Sequence, residues 1–191
     1  KPLNIQFLID AFKPKEKNKP PTKFDLCLHS IVLRRCKISF DKQWMPHRAD
    51  KSLIDFNHLS FNNIRADINI PRLKNDYFDI DVRSLSFAER SGLQLDNLIC
   101  HALVTNTSAR LSDIQIEMPG TLLRPSDLSL GYNGFGDIME AFLRERHELK
   151  LQSDKVTLSD FRAFAAPLGA FDDPMDLSLI VSGNKEAIDI H

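Results

Sequence analysis

The chain has little of several things that would identify it. Cysteine is scarce at three residues, tryptophan occurs once and tyrosine twice, and only seven of 191 residues are glycine. So few glycines exclude a collagen-like chain, and 42% hydrophobic with 27% charged residues is not the composition of a disordered one. No apolar run approaches the roughly 20 residues that cross a bilayer as a helix, and no secretory leader is visible. Neither sign of charge is in excess: 25 Lys and Arg against 26 Asp and Glu leave a net charge of -1. Electrostatics therefore argues for no nucleic-acid partner. Three cysteines leave at least one thiol unpaired within the chain. Cys27 and Cys36 lie about 30 Å apart if the segment between them is extended at ~3.3 Å per residue. A turn at Arg34-Arg35 would not bring them to the ~5–6 Å that a disulfide needs either. Cys27, Cys36 and Cys100 are read as buried thiols packing as small hydrophobes.

Catalytic signatures are missing as well. No Gly-x-Ser-x-Gly element occurs, and nothing identifies a nucleophile with a base. Among His29, His47, His58, His101, His147 and His191 none is four residues from another. His147-Glu148 opens like a zinc-protease motif, but Leu151 stands where the second histidine belongs. Cys100-His101 has no partners at ligand spacing. No metal, cofactor or catalytic residue is expected. Gly131 to Asp137 invites a phosphate-loop reading, yet an aspartate at the helix N-cap competes with an anion for the same amides, so a plain turn is expected. Asn106-Thr107-Ser108 fits a glycosylation sequon at a hairpin tip. Cys27, Trp44 and Cys100 have roughly immunoglobulin spacing, but Leu98 replaces the expected tyrosine and Trp44 falls in a loop-like stretch, which argues against that fold.

What is there is alternation. Leu26 and Leu28 alternate with Asp25, Cys27 and His29; Ile64, Ala66, Ile68 and Ile70 with Arg65, Asp67 and Asn69; Phe78, Ile80 and Val82 with Asp79, Asp81 and Arg83. Ile114, Ile116 and Met118, then Leu177, Leu179 and Val181, follow the same rule. One apolar and one wet face mark half-buried antiparallel strands. Leu111 and Ile114 are three apart across Ser112-Asp113, which predicts a bulge or tight turn there. Gly183-Asn184 predicts a two-residue hairpin turn. Leu59-Ser60-Phe61, Leu85-Ser86-Phe87, Leu128-Ser129-Leu130 and Leu177-Ser178-Leu179 share an apolar-Ser-apolar pattern that suits successive rungs of a long sheet.

Two segments have helical spacing. Asp137 with Glu140 reads as a capping box for a helix running to about Arg146, and Ser159 as the cap of a shorter helix bearing Phe161, Phe164 and Ala165. Residues 13–23, with five lysines and three prolines, read as a flexible loop. Leu3, Ile5, Phe7 and Ile9 already alternate, and Ile188 and Ile190 stop in mid-pattern, so residues 1–191 are expected to be one β-rich piece of a longer repetitive protein.

Four segments resemble the AsmA/TamB group of bacterial envelope proteins in its Bacteroidetes form. Ile31 to Asp41 (IVLRRCKISFD) resembles a family hairpin, with Arg35-Cys36 where Asn-Gly is usual. Leu85 to Leu98 (LSFAERSGLQLDNL), Leu111 to Leu122 (LSDIQIEMPGTL) and Val156 to Phe164 (VTLSDFRAF) resemble three further family motifs in the same order. The resemblance implies a long, twisted antiparallel sheet of sequential hairpins folded into a half-pipe, here with two short helices. It also implies a periplasmic protein anchored in the inner membrane outside this piece. Such proteins are implicated in moving phospholipid, or in assembling outer-membrane proteins with a barrel partner, and the family has no catalytic residues.

Period-two strands with one apolar face must bury it against a second sheet, helices or lipid chains. Leu59, Phe61, Leu85, Phe87, Leu93, Leu95, Leu128, Leu130, Leu177 and Leu179 are the expected lining of an inner groove for phospholipid acyl chains. The competing expectation is a secreted or surface β-sandwich that binds glycans or acts as an adhesin.

Overall fold

The computed structural model describes residues 25–145, 147–183 and 188–190. The expected strand around Leu3 to Ile9 and the loop 13–23 lie outside the described residues. The rest is one open antiparallel sheet of eleven strands. They are β1 (Asp25–Asp41), β2 (His58–Lys74), β3 (Tyr77–Glu89), β4 (Gln94–Leu95), β5 (Asn97–Thr105), β6 (Ser108–Met118), β7 (Thr121–Pro125), β8 (Leu128–Gly131), β9 (His147–Val156), β10 (Met175–Gly183) and β11 (Ile188–Ile190). Their spatial order is β1-β2-β3-β5-β6-β7-β9-β10-β11, with β4 added to β3 and β8 to β6. β7 and β8 lie in tandem along β6, which pairs Met118 with Thr121 and Ser108 with Gly131.

Bulges keep one face apolar along strands of up to 17 residues. In β1, Arg34 and Arg35 together oppose Arg65, because Leu33 pairs with Ala66 and Cys36 with Ile64. A single extra residue restores the phase that the step from Leu33 to Cys36 would flip. The same device recurs at Asn63 and at Asp113, and the three residues share positive φ values of 55°, 53° and 54°. The slip expected at Ser112-Asp113 is thus a bulge. Pro71 has no N–H for the ladder and sits in a further register shift, between the pairs Asn69–Asp81 and Arg72–Asp79.

The bulge at Arg35 corrects the hairpin expected over Ile31 to Asp41, since Asp25–Asp41 is one continuous strand. Cys27 and Cys36 therefore lie far apart along it. Cys27 is exposed, contrary to a packed thiol, while Cys36 and Cys100 are half-buried and all three are free. Only one α-helix forms among the described residues, α1 (Ile138–Arg144), preceded by a 3-10 turn at Phe135–Asp137. Asp137 makes no capping bond to this helix. Its carboxylate instead accepts the Asn133 N–H at 3.0 Å, so the capping box does not form. The second expected helix is two 3-10 turns, Leu158–Phe161 and Ala166–Ala170, with Thr157 at the cap and Ser159 inside the first turn. Pro167 and Gly169 keep the segment too broken for a full α-turn to propagate. Gly183 pairs with Ile188, and Asn184 lies outside the described residues.

The fully buried residues gather mainly at one end of the sheet. There Ile54, Ile64, Met118, Leu123, Val156 and Ala163 are each at most 8% exposed. This end carries the long connections, 42–57 and 157–174, joined by the Ile54 N–H donating to the Ala163 carbonyl at 2.8 Å. The opposite end is held by Tyr132, whose hydroxyl lies 2.5 Å from the Thr105 carbonyl and 2.9 Å from that of Ser108.

Candidate functional site: an apolar sheet face

Register assigns the paired strand residues to faces. Leu26, Leu73, Phe78, Val104, Ala109 and Leu130 form one cross-strand row over β1, β2, β3, β5, β6 and β8. Ile80, Ala102, Leu111 and Leu128 form the next. Ile31, Ile68, Val82 and Cys100 follow, and Leu98, Ile116 and Leu123 continue toward β7. Pro125, Leu151 and Leu179 carry the face to β10. Nearest-neighbour apolar pairs of this kind each contribute roughly 0.2–1 kcal/mol to the sheet.

The structure brings nine of the ten expected lining residues onto this one face. Leu59 pairs with Phe40, Leu85 with Ala66, Phe87 with Leu95, Leu130 with Ala109 and Leu177 with Ser153. Phe61, Leu128 and Leu179 share their side by alternation. Leu93 stands in the turn before β4, its carbonyl accepting the Glu89 N–H at 2.8 Å. All ten are half-buried. The four apolar-Ser-apolar segments all lie in strands, with the serine on the opposite, polar face. Phe61 and Phe87 meet edge to face at 5.0 Å. Phe135, from the 3-10 turn, meets Phe78 at 5.4 Å and reaches over the far end of the face. Toward the β1 edge Ile38 is 53% and Phe40 37% exposed. No second sheet covers the face among the described residues.

The capped end is built from polar groups with specific partners. Buried Glu89 accepts the N–H groups of Ser60 at 3.1 Å and Ser91 at 2.6 Å. Burial works to raise its pKa, but these bonds outweigh it and hold the carboxyl below its usual range. Gly120 donates its N–H to Asp160 at 2.9 Å and accepts the Thr157 hydroxyl at 3.0 Å, clamping the β6–β7 turn to the 3-10 segment. Around this cap Trp44, Phe56, Phe164 and Phe171 are 52–74% exposed.

Two triads escaped the sequence reading. Asp41, His47 and His58 converge at the cap, and Asp79, Asp81 and His101 on the polar face. His58 directs Nδ1 to Asp41 and Nε2 to the Met45 carbonyl at 3.0 Å, and its ring stacks on His47 at 3.8 Å. Two acceptors at one imidazole favour the doubly protonated ring. The Asp41 bond leads in raising its pKa, burial opposes, and the Met45 carbonyl and Asp55 add to the rise. With both ring nitrogens facing oxygen acceptors, the arrangement fits a charged hydrogen-bonded clamp better than a metal centre, which needs a ring lone pair. His101 Nε2 lies 2.8 Å from Asp79 and 3.8 Å from Asp81, across the direct pair Asp81–His101. Strand register brings His58 to Asp41 and His101 to Asp79 and Asp81, and His47 comes from the 42–57 connection.

Compared with known proteins, the chain matches no family model, no curated protein and no solved structure.

Proposed function

We propose that this chain is a non-enzymatic scaffold of the AsmA/TamB type, working in the periplasm of a bacterial envelope, whose apolar sheet face receives phospholipid acyl chains. One observation carries the reading: a continuous apolar face runs from β1 to β10, is only half-buried, and has no second sheet against it among the described residues. Acyl chains suit such a surface, because each buried CH₂ contributes roughly 0.8 kcal/mol and requires no specific polar partner. Transfer of phospholipid, or assembly of outer-membrane proteins with a barrel partner, are the uses that the sequence resemblance adds. The test is mass spectrometry of lipids extracted from the purified chain and from the triple variant Leu85→Asp, Leu128→Asp, Leu179→Asp. Phospholipid in the parent and none in the folded variant is the expected result. Equal lipid in both overturns the reading.

A second reading, a surface binding module, is favoured by the exposed Trp44, Phe56, Phe164 and Phe171 at the capped end. Exposed aromatic rings are the usual stacking surface for sugars or for a partner protein. Glycan-array binding lost in Trp44→Ala, with no lipid recovered from the parent, would support it over the first.

A further inference from the structure

The polar face holds a second feature, independent of the apolar one. A recess of about 390 Å³ opens on β1, β2 and β3, lined by Val32, Arg34, Arg35, Arg65, Asp67 and Ser84 together with the intervening backbone. The bulge creates it: Arg34 and Arg35 are both set opposite Arg65, and alternation puts Arg34, Arg65, Asp67 and Ser84 on one side of the sheet. None of the three guanidinium groups has a hydrogen-bond or ion-pair partner among the described residues. Elsewhere Arg48, Arg72, Arg90, Arg110 and Arg124 each have one. The chain as a whole carries a net charge of -1, so this concentration of positive charge is local. Asp67, in the same recess, has a buried Oδ1 with no donor among the described residues. Asn69, the next residue on that face, is already committed to Asp81 at 3.0 Å.

These unfilled demands are complementary. Guanidinium forks take phosphoryl oxygens in paired hydrogen bonds. A buried carboxylate oxygen without a donor calls for a hydroxyl. We propose that the recess binds a phosphate ester bearing a free hydroxyl, of the glycerol-phosphate kind, with the phosphoryl group on Arg34, Arg35 and Arg65 and a hydroxyl donating to Asp67. The recess volume is within the range of small-ligand sites, roughly 300–1,000 Å³. The same chemistry is offered by a soluble ester and by a phosphatidylglycerol headgroup.

Calorimetric titration of the full chain with glycerol 3-phosphate and with inorganic phosphate tests the assignment. Glycerol 3-phosphate binds saturably at one site and more tightly than inorganic phosphate. Arg34→Gln with Arg65→Gln weakens both by about tenfold or more, the scale of losing one charge-assisted hydrogen bond. Asp67→Asn removes the preference for the ester while retaining phosphate binding. Unchanged thermal melting of these variants shows that they fold. Flotation with phosphatidylglycerol vesicles, lost in the double arginine variant, assigns the phosphate to a headgroup, whereas binding of the free ester without flotation assigns it to a soluble ligand. Absence of saturable binding by either titrant, or wild-type affinity in the double arginine variant, overturns the site. Because the recess is on the face opposite the acyl surface, its outcome is separable from that of lipid extraction.

Discussion

At the scale of single residues, two buried ionisable groups set opposite pH limits on the capped end. His58 has a folded pKa raised above about 6.5 by its bond to Asp41. A raised pKa stabilises fully below the unfolded value, and that stabilisation is lost as pH rises through the folded one. Melting temperature is therefore expected to fall on the alkaline side of pH 6.5, and Asp41→Asn is expected to flatten that limb. Circular dichroism melts across pH 5.5–9 measure this; an unchanged slope in the variant refutes the clamp. Glu89 behaves conversely. Its folded pKa lies below the ordinary 4.5, so its contribution is complete above that value and lost as pH falls through the folded one. Glu89→Gln weakens two bonds from backbone N–H groups and is expected to cost about 1–3 kcal/mol at neutral pH by urea unfolding. Charge pattern alone signals neither role: Glu89 reads as a strand-end acid and His58 as an isolated histidine until the pairs Phe61–Glu89 and Asp41–His58 are formed.

At the scale of elements, turns and clamps decide more than intrinsic propensity. A Cβ on Gly120 would stand 2.5 Å from the Thr157 hydroxyl oxygen and 2.6 Å from its Cβ. Gly120→Ala is expected to destabilise by about 1–3 kcal/mol, the usual cost of overpacking a fixed contact, read as a lower urea midpoint. Tyr132→Phe removes the hydroxyl that ties the β5–β6 turn at Asn106-Thr107 to the segment after β8, with an expected cost of about 0.5–1.5 kcal/mol. The sequon Asn106-Thr107-Ser108 does fall at this exposed tip, as its turn residues indicate. The expected capping box at Asp137 failed for a comparable reason: the Asn133 N–H claims the carboxylate first. Local spacing shows which bonds a side chain can make and does not rank them against tertiary competitors.

At the scale of the whole molecule, a sheet with one half-exposed apolar face has an observable consequence even without a bound lipid. Contiguous apolar surface beyond a few hundred Å² is unusual on a soluble monomer. The native chain is expected to enhance the fluorescence of an apolar dye such as anilinonaphthalene sulfonate at neutral pH, below any unfolding transition. The triple aspartate variant is expected to lose most of that signal while keeping its far-ultraviolet strand spectrum. A native chain that leaves the dye dark would mean that this face is covered in solution.

The β-rich class and the alternating faces are legible in the residue order. Alternation with period two marks which side chains share a side, and the odd step at Ser112-Asp113 announced a bulge, because a side chain in a strand has only two directions to point. Nine of the ten expected lining residues stand on one side only because bulges such as that at Asn63 restore the phase that alternation alone would lose. The folded chain supplies what alternation cannot encode. It made Asp25–Asp41 one strand through a bulge at Arg35, gathered two His-Asp triads from residues distant in sequence, and placed three arginines around one recess. It also left the apolar face without a second sheet among the described residues. An apolar stripe reads the same in sequence whether a sheet, a helix or a lipid chain will cover it, since the hydrophobic effect rewards removal from water without specifying the cover.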